Sequence, residues 1–549
     1  MYNWFLNVHI DHGWVIWSVI VLVFVLCVLL LPIFVPASAY RKAQTVSAGD
    51  ESVDAAHNAA HHHRGHRAQH EARKTSLFSQ HKWYMTLLIQ MLSALAGLIL
   101  GWVTVWLLSD VFLVFGVGLG RKVFIRVAFG CAVAGYAIAS LVLYRSWRRI
   151  IAICLIPAAI LFSASQVNAA YGQYPTIRDL LGKSLYPETD AFPQATTTVS
   201  DYLKLAQSGR ISVPEHGEIH SVRIPATESG FHARLAVVYV PPAALTTQVP
   251  ALPVIFIMSG QPGYTSTFFT AGQLGAIADA YAAKHNGLAP VIISPDQLGN
   301  QFHNTMCANT IPFGNTETYL MKDVVGWMEK NLPITTDHTH WAIGGFSQGG
   351  TCSVELGPKY PELFNYVIDI SGEKQPNAGS ESTMINTYYG GDKSAYEAHI
   401  PENIFNAHPN SHQTILFGSG QLDTVGQADV VYVSQFARKS GWKVKSALSA
   451  GSAHDWTTVQ NVMRYAVADF SNHAGLGAEV KVTDFPSLSL IPGLTLSDGG
   501  TSATSLSVTG TSSTSTSGAG KASTVSVFNV ANASESISRK STPARARHR

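Results

Sequence analysis

Polar and apolar positions divide the chain into three regimes. In the first, up to residue 170, long uncharged runs alternate with polar loops. Residues 14–35 carry no charged side chain, and about 20 apolar residues are enough to cross a bilayer as a helix. No Lys or Arg precedes this run and it exceeds the core of a cleavable signal, so it reads as a span. Residues 83–108, 123–144 and 150–170 repeat the pattern, with Arg126 able to snorkel to an edge and Pro157 placed to kink the last run. The expectation is a membrane domain, residues 1–170, of four transmembrane helices.

The second regime begins after a juxtamembrane linker, residues 171–216, and extends over 217–475. Strand-like runs at 220–225, 234–240, 253–258, 290–294, 341–346, 366–370, 414–418 and 443–448 are separated, in the later part, by helical patterns such as 272–285 and 318–331. Two strands followed by βα units predict a mostly parallel, eight-stranded sheet with helices on both faces, as in an α/β-hydrolase. The third regime, residues 476–549, is rich in Ser, Thr and Gly and poor in large apolar residues, so it reads as a disordered tail. Its basic end, from Arg539 to Arg549, reads as solvated rather than as a contact for an anionic polymer or lipid.

Charge adds direction. Lys and Arg are retained on the cytoplasmic side of a membrane. The loop at 37–82 carries Arg41, Lys42, Arg64, Arg67, Arg73, Lys74 and Lys82, and the loop between the third and fourth spans carries Arg145, Arg148 and Arg149. The N-terminus has neither residue, and the loop at 110–122 has only Arg121 and Lys122. Both basic loops therefore belong inside, and the domain after the fourth span is extracytoplasmic. Residues 111–120 are apolar enough to be re-entrant, and a fifth span there would invert this topology.

Composition narrows the function. With 13% charged residues and a net charge of +2, the chain has no basic field for nucleic acid. The loop at 37–82 holds His57, His61, His62, His63, His66 and His70, of which His62 and His66 would share a helix face. Without cysteines or apolar residues to build a rigid site, it reads as a solvated loop, and neither metal nor cofactor is expected. Cys307 and Cys352 could pair if their domain faces an oxidising compartment, fastening the helix after Ser347 to the loop after Asn300; the alternative is two free thiols.

The chemistry centres on Gly345-Phe346-Ser347-Gln348-Gly349, between an apolar strand and a helical pattern. Such a turn holds its central serine in a strained conformation, so small residues are needed two before and two after it. The serine needs a base and a group to orient that base, which in this fold follow it as acid and then histidine. Asp423, just past a strand, and His454, after the last strand, have that order. Asp392 is an alternative acid, whereas Asp455 reads as a helix cap and Asp369 as structural. The amide of Gln348 is placed as one oxyanion donor, and that of Gln261, in Ser259-Gly-Gln-Pro-Gly263, as the second. The bland reading of this last motif is a plain Gly-Pro turn.

Taken with Val222-Arg-Ile-Pro225, Arg234 to Pro242, Tyr360-Pro-Glu-Leu-Phe364 and His454-Asp-Trp456, these motifs resemble the esterase D / antigen 85 branch of α/β-hydrolases over residues 217–473. The resemblance implies a triad of Ser347, Asp423 and His454 and acyl-ester chemistry, either hydrolysis or mycolyl-type transfer to a sugar. The chain departs from the secreted mycolyltransferases in its membrane anchor and at Gln348. The expectation is a membrane-anchored, extracytoplasmic serine esterase acting on a lipidic or envelope-derived ester. An inactive hydrolase fold serving as a membrane-anchored scaffold is the reading from a different class.

Overall fold

The computed structural model describes residues 2–32, 83–111, 119–145, 147–409 and 412–494. The histidine-rich loop, the centre of the apolar stretch at 111–120 and the Ser/Thr/Gly-rich tail lie outside the described residues.

Four apolar helices come first: α1 (Trp14–Leu29), α2 (Trp83–Trp106), α3 (Arg121–Leu143) and α4 (Trp147–Tyr171). Counting the π-turn that continues α2, the last three are long and apolar enough to cross a membrane. At 16 residues α1 is shorter than the expected run, because the chain tightens at Leu30 and Pro32 has no N–H to continue the ladder. α4 is continuous through Pro157.

The bundle packs by small residues and a buried amide. A Cβ on Gly97 would run into the carbonyl of Cys131, and one on Gly135 into that of Ser93, so α2 and α3 approach backbone to backbone. Gln90 is fully buried, and its Nε2 donates to Ser140 Oγ (2.8 Å) and to the Leu30 carbonyl (3.2 Å).

The N-terminal segment is tied to the exit of α4. Ile10 N–H donates to the Pro175 carbonyl (2.9 Å), and Ile177 N–H to that of Val8 (3.1 Å). The start of α1 and the end of α4 thus lie at the same end of the bundle.

Residues 171–216 do not form a free linker. Helix Val199–Gln207, capped by Thr198, sinks Tyr202 completely into the core of the following domain, where its hydroxyl donates to the Asn286 carbonyl (2.9 Å). Thr197 and Ser221 anchor the flanking chain through backbone bonds to Val249 and Pro187.

That domain is built on a sheet of nine strands: β1 (Glu218–Val222), β2 (Ala236–Val240), β3 (Val254–Met258), β4 (Val291–Ser294), β7 (Trp341–Phe346), β8 (Tyr366–Ile370), β9 (Thr414–Gly420), β10 (Lys443–Ser449) and β11 (Leu488–Ser489). A two-residue hairpin, β5 (Asn309–Thr310) with β6 (Gly314–Asn315), stands apart. The order is β1-β2-β4-β3-β7-β8-β9-β10-β11, parallel from β4 to β10 and antiparallel at both edges.

Every residue of β3, β7 and β8 is buried, as strands covered on both faces must be. The alternation is strict: Phe256 belongs to one apolar core, and Ile255 and Ile257 to the other.

The eight expected strands are present, and the ninth corrects both the strand count and the start of the tail. Residues 476–494 are folded: Leu488 and Ser489 pair with Ser449 and Leu448, while Ile491 and Leu494 are 0% and 1% exposed in the core. The segment's Ser, Pro and Gly content hid its apolar side chains: Leu476, Val482, Leu488, Ile491 and Leu494 are buried, and Leu490 is exposed.

Ile491→Ala should therefore destabilise the protein by about 2–4 kcal/mol, the usual cost of emptying a buried aliphatic site. Denaturant or thermal unfolding of the detergent-solubilised chain measures it; an unchanged midpoint would contradict this packing.

Candidate active site

β7 delivers Ser347 into a sharp turn with φ 56° and ψ −120°, and α5 (Gln348–Lys359) starts at once after it. Two glycines make the turn possible. A Cβ on Gly345 would collide with the backbone of Gly349, and one on Gly349 with the carbonyl of Met258 on the neighbouring strand. Ser347 N–H donates to the Ile370 carbonyl (2.9 Å), which pins the turn to β8. In the first turn of α5 the backbone N–H of Gln348 has no intrahelical acceptor.

Asp423 ends the β9 turn and caps α6 (Thr424–Lys439), its Oδ1 accepting from Gly426 N–H at 3.0 Å. Its Oδ2 lies 2.8 Å from His454 Nδ1, and its side chain is wholly buried. Burial works against its ionised form, but His454, the Gly426 N–H and the Ser371 hydroxyl overcome this and hold the carboxyl below the usual range.

His454 follows β10, is 7% exposed and packs on Phe346 with ring centroids 4.7 Å apart. Asp455 caps α7 (Trp456–His473) through Thr458 N–H (3.0 Å) and accepts from Ala453 N–H (3.0 Å), bracketing the histidine.

The loop after β3 presses on the turn: a Cβ on Gly260 would stand 3.1 Å from Ser347 Cβ. Its shape is held from outside by Arg234, which reaches the Gly263 carbonyl (3.1 Å) while pairing with buried Asp296 (Nη2–Oδ1 2.6 Å, Nε–Oδ2 3.0 Å). Gln261, Gln348, Ser347 and His454 all line one cavity of about 1370 Å³.

Gln297, which carries no sequence signal, bridges the two sides of this site: its Nε2 donates to the Ser259 carbonyl and to Gln348 Oε1 (3.2 Å). Gln348 Nε2 in turn lies 3.3 Å from Cys352 Sγ. Cys307 and Cys352 form a disulfide, with Cα atoms 5.7 Å apart, that joins α5 to the loop after Asn300.

Residues 232–470 match the model of a family described as putative esterase. This domain is an α/β-hydrolase esterase.

An uncharacterized protein of Corynebacterium glutamicum is 29% identical over 331 residues, 58% of this chain and 76% of that protein. Among solved structures, an S-formylglutathione hydrolase from Agrobacterium tumefaciens is 16% identical, covers 49% of this chain and 98% of its own, and has a TM-score of 0.39. A fluorophosphonate-binding serine hydrolase of Staphylococcus aureus is 15% identical over 46% and 98%, with a TM-score of 0.38. At these scores the assignment rests on the family match and on the sheet and turn of the chain itself.

The alternative acid Asp392 and the strand acid Asp369 are engaged elsewhere. Asp392 caps the exposed helix Lys393–Glu397, and Asp369 is buried under Gly372 N–H (2.8 Å), with burial pushing its carboxyl up to about 7. His9, Asp11 and His12, a group among the described residues that could hold a metal, lie outside the cavity lining.

Glu373 does line the cavity, on the loop after β8 that also contributes Asn377 and Gly379. Its N–H donates to Thr351 Oγ1 (2.9 Å), and burial, with the Asp429 carboxylate nearby, pushes its own carboxyl up to about 8.

Burial thus favours the neutral carboxyl of Glu373, and a rise in pH through about 8 adds a negative charge to the cavity lining that Ser347 shares. kcat/KM for an uncharged ester should fall above that pH, and Glu373→Gln should remove this limb of the pH–rate profile. A limb that survives in the variant would assign it to another group.

Proposed function

We propose that the chain is a membrane-anchored serine esterase with its esterase domain on the extracytoplasmic side. Ser347, His454 and Asp423 form the catalytic triad, and the amides of Gln348 and Gln261 form the oxyanion hole. The observation that carries this reading is the buried Asp423–His454 pair at 2.8 Å, opening on the cavity that Ser347 lines from its strained turn.

His454 Nε2 takes the proton as Ser347 Oγ bonds to the ester carbonyl carbon, and the oxyanion is held by the two amides. The ester C–O bond then breaks, with His454 returning the proton to the departing alcohol. Water repeats the sequence on the acyl-enzyme, releasing a carboxylic acid and restoring the serine. Asp423 fixes the Nδ1–H tautomer and stabilises the imidazolium.

The orientation is supported by the basic loops and by the disulfide, a bond that persists in oxidising compartments. It is also supported by the N-terminus meeting the exit of α4 at one end of the bundle, which an even number of crossings requires.

The full chain in detergent should hydrolyse p-nitrophenyl butyrate and be labelled by a fluorophosphonate. Ser347→Ala and His454→Ala should each lower kcat by about 10⁴-fold or more, and Asp423→Asn by about 10²–10⁴-fold. Hydrolysis undiminished in Ser347→Ala would refute the assignment.

A further inference from the structure

The cavity at Ser347 does not stop at the esterase domain. It is lined by Val15 and Val19 of α1, Val105 of α2, Val123 and Val127 of α3, and Leu161 of α4, so all four apolar helices contribute a wall. These are the helix ends nearest the domain. Val19 lies five residues into α1, Val127 six into α3, and Leu161 ten before the end of α4. At 1.5 Å per residue the lining extends about 8–15 Å along the bundle, comparable to the roughly 15 Å of one leaflet's hydrocarbon.

The two ends of the cavity differ in chemistry. Around Ser347 it presents His454, Gln261, Asn304, Glu373 and Asn377; Ser163, Ser165 and Asn168 line it along the last turns of α4, and the deeper positions, Val19, Val127 and Leu161, are aliphatic. Its volume, about 1370 Å³, exceeds the roughly 300–1,000 Å³ that holds an ordinary small ligand. Leu161, ten residues inside the end of α4, marks how far the lining reaches along that helix.

Resting on the serine-esterase reading above, we infer that the substrate is a membrane-resident lipid ester. Its acyl chain lies between the apolar helices, while its carbonyl meets Ser347 and its alcohol moiety faces Asn304, Glu373 and Asn377. A water-soluble ester would leave the arm open to solvent or lipid. An acyl chain fills it with the surface that its walls match, because burying apolar area is favourable and non-directional. The spans are then part of the binding site as well as an anchor.

The test uses the full chain in phosphatidylcholine nanodiscs, with p-nitrophenyl palmitate and p-nitrophenyl butyrate as probes. The wild type should prefer palmitate in kcat/KM by at least tenfold. Val127→Trp, which fills the arm, should collapse the palmitate-to-butyrate ratio at least tenfold, and Leu161→Trp, on the α4 wall, should do the same.

A ratio that neither variant moves, a loss shared equally by both esters, or a wild type that prefers butyrate would overturn the inference and leave the triad standing. Turnover of neither ester, with no fluorophosphonate labelling, would remove the triad and the inference together.

Discussion

The close approach of three chain segments around Ser347 is the constraint on which the rest of the domain depends. Gly349 lies on the Met258 carbonyl, Gly345 on Gly349, and Gly260 on Ser347, with no side chain between them. A serine at φ 56° costs on the order of 1–3 kcal/mol and persists only where its surroundings over-determine it. They do so here, because β3, β7 and β8 are paired in register and buried on both faces, and the Ile370 carbonyl takes the serine's own N–H. The outer supports act on the same point. Gln297 ties the β3 loop to Gln348, the disulfide backs Gln348, and Arg234 with Asp296 braces Gly263.

The parts of this arrangement that depend on local patterns could be read from the sequence. Strands β7 and β8 are unbroken apolar runs and occupy the residues expected of them. The glycine spacing about Ser347 follows from turn geometry, and the juxtaposition of Asp423 with His454 follows from both lying just past parallel strands. Gln297 could not be read this way. It is an amide in a loop of ordinary composition, and it matters only because folding brings Ser259 and Gln348 to either side of it.

Boundaries failed for a related reason. Tyr202 and Ile491 are fully buried anchors in stretches with many polar residues, so composition read 171–216 as linker and 476–494 as tail although both pack on the core. Glu373 shows no motif either. Its raised pKa comes from burial beside Asp429, a neighbour 56 positions away in the chain.

The pairing of Ile10 with Pro175 and of Val8 with Ile177 changes how far the enzyme can reach. A domain hung from one strand of chain would swing about its attachment. Two backbone bonds tie the N-terminal segment across the junction, and Tyr202 is seated in the core just beyond, so the attachment is restrained at both ends. On the membrane-anchored reading proposed above, an esterase held in this way works at a single height. Esters displayed on a scaffold far from the bilayer would need a carrier to reach it, while those dissolved in the leaflet arrive by lateral diffusion.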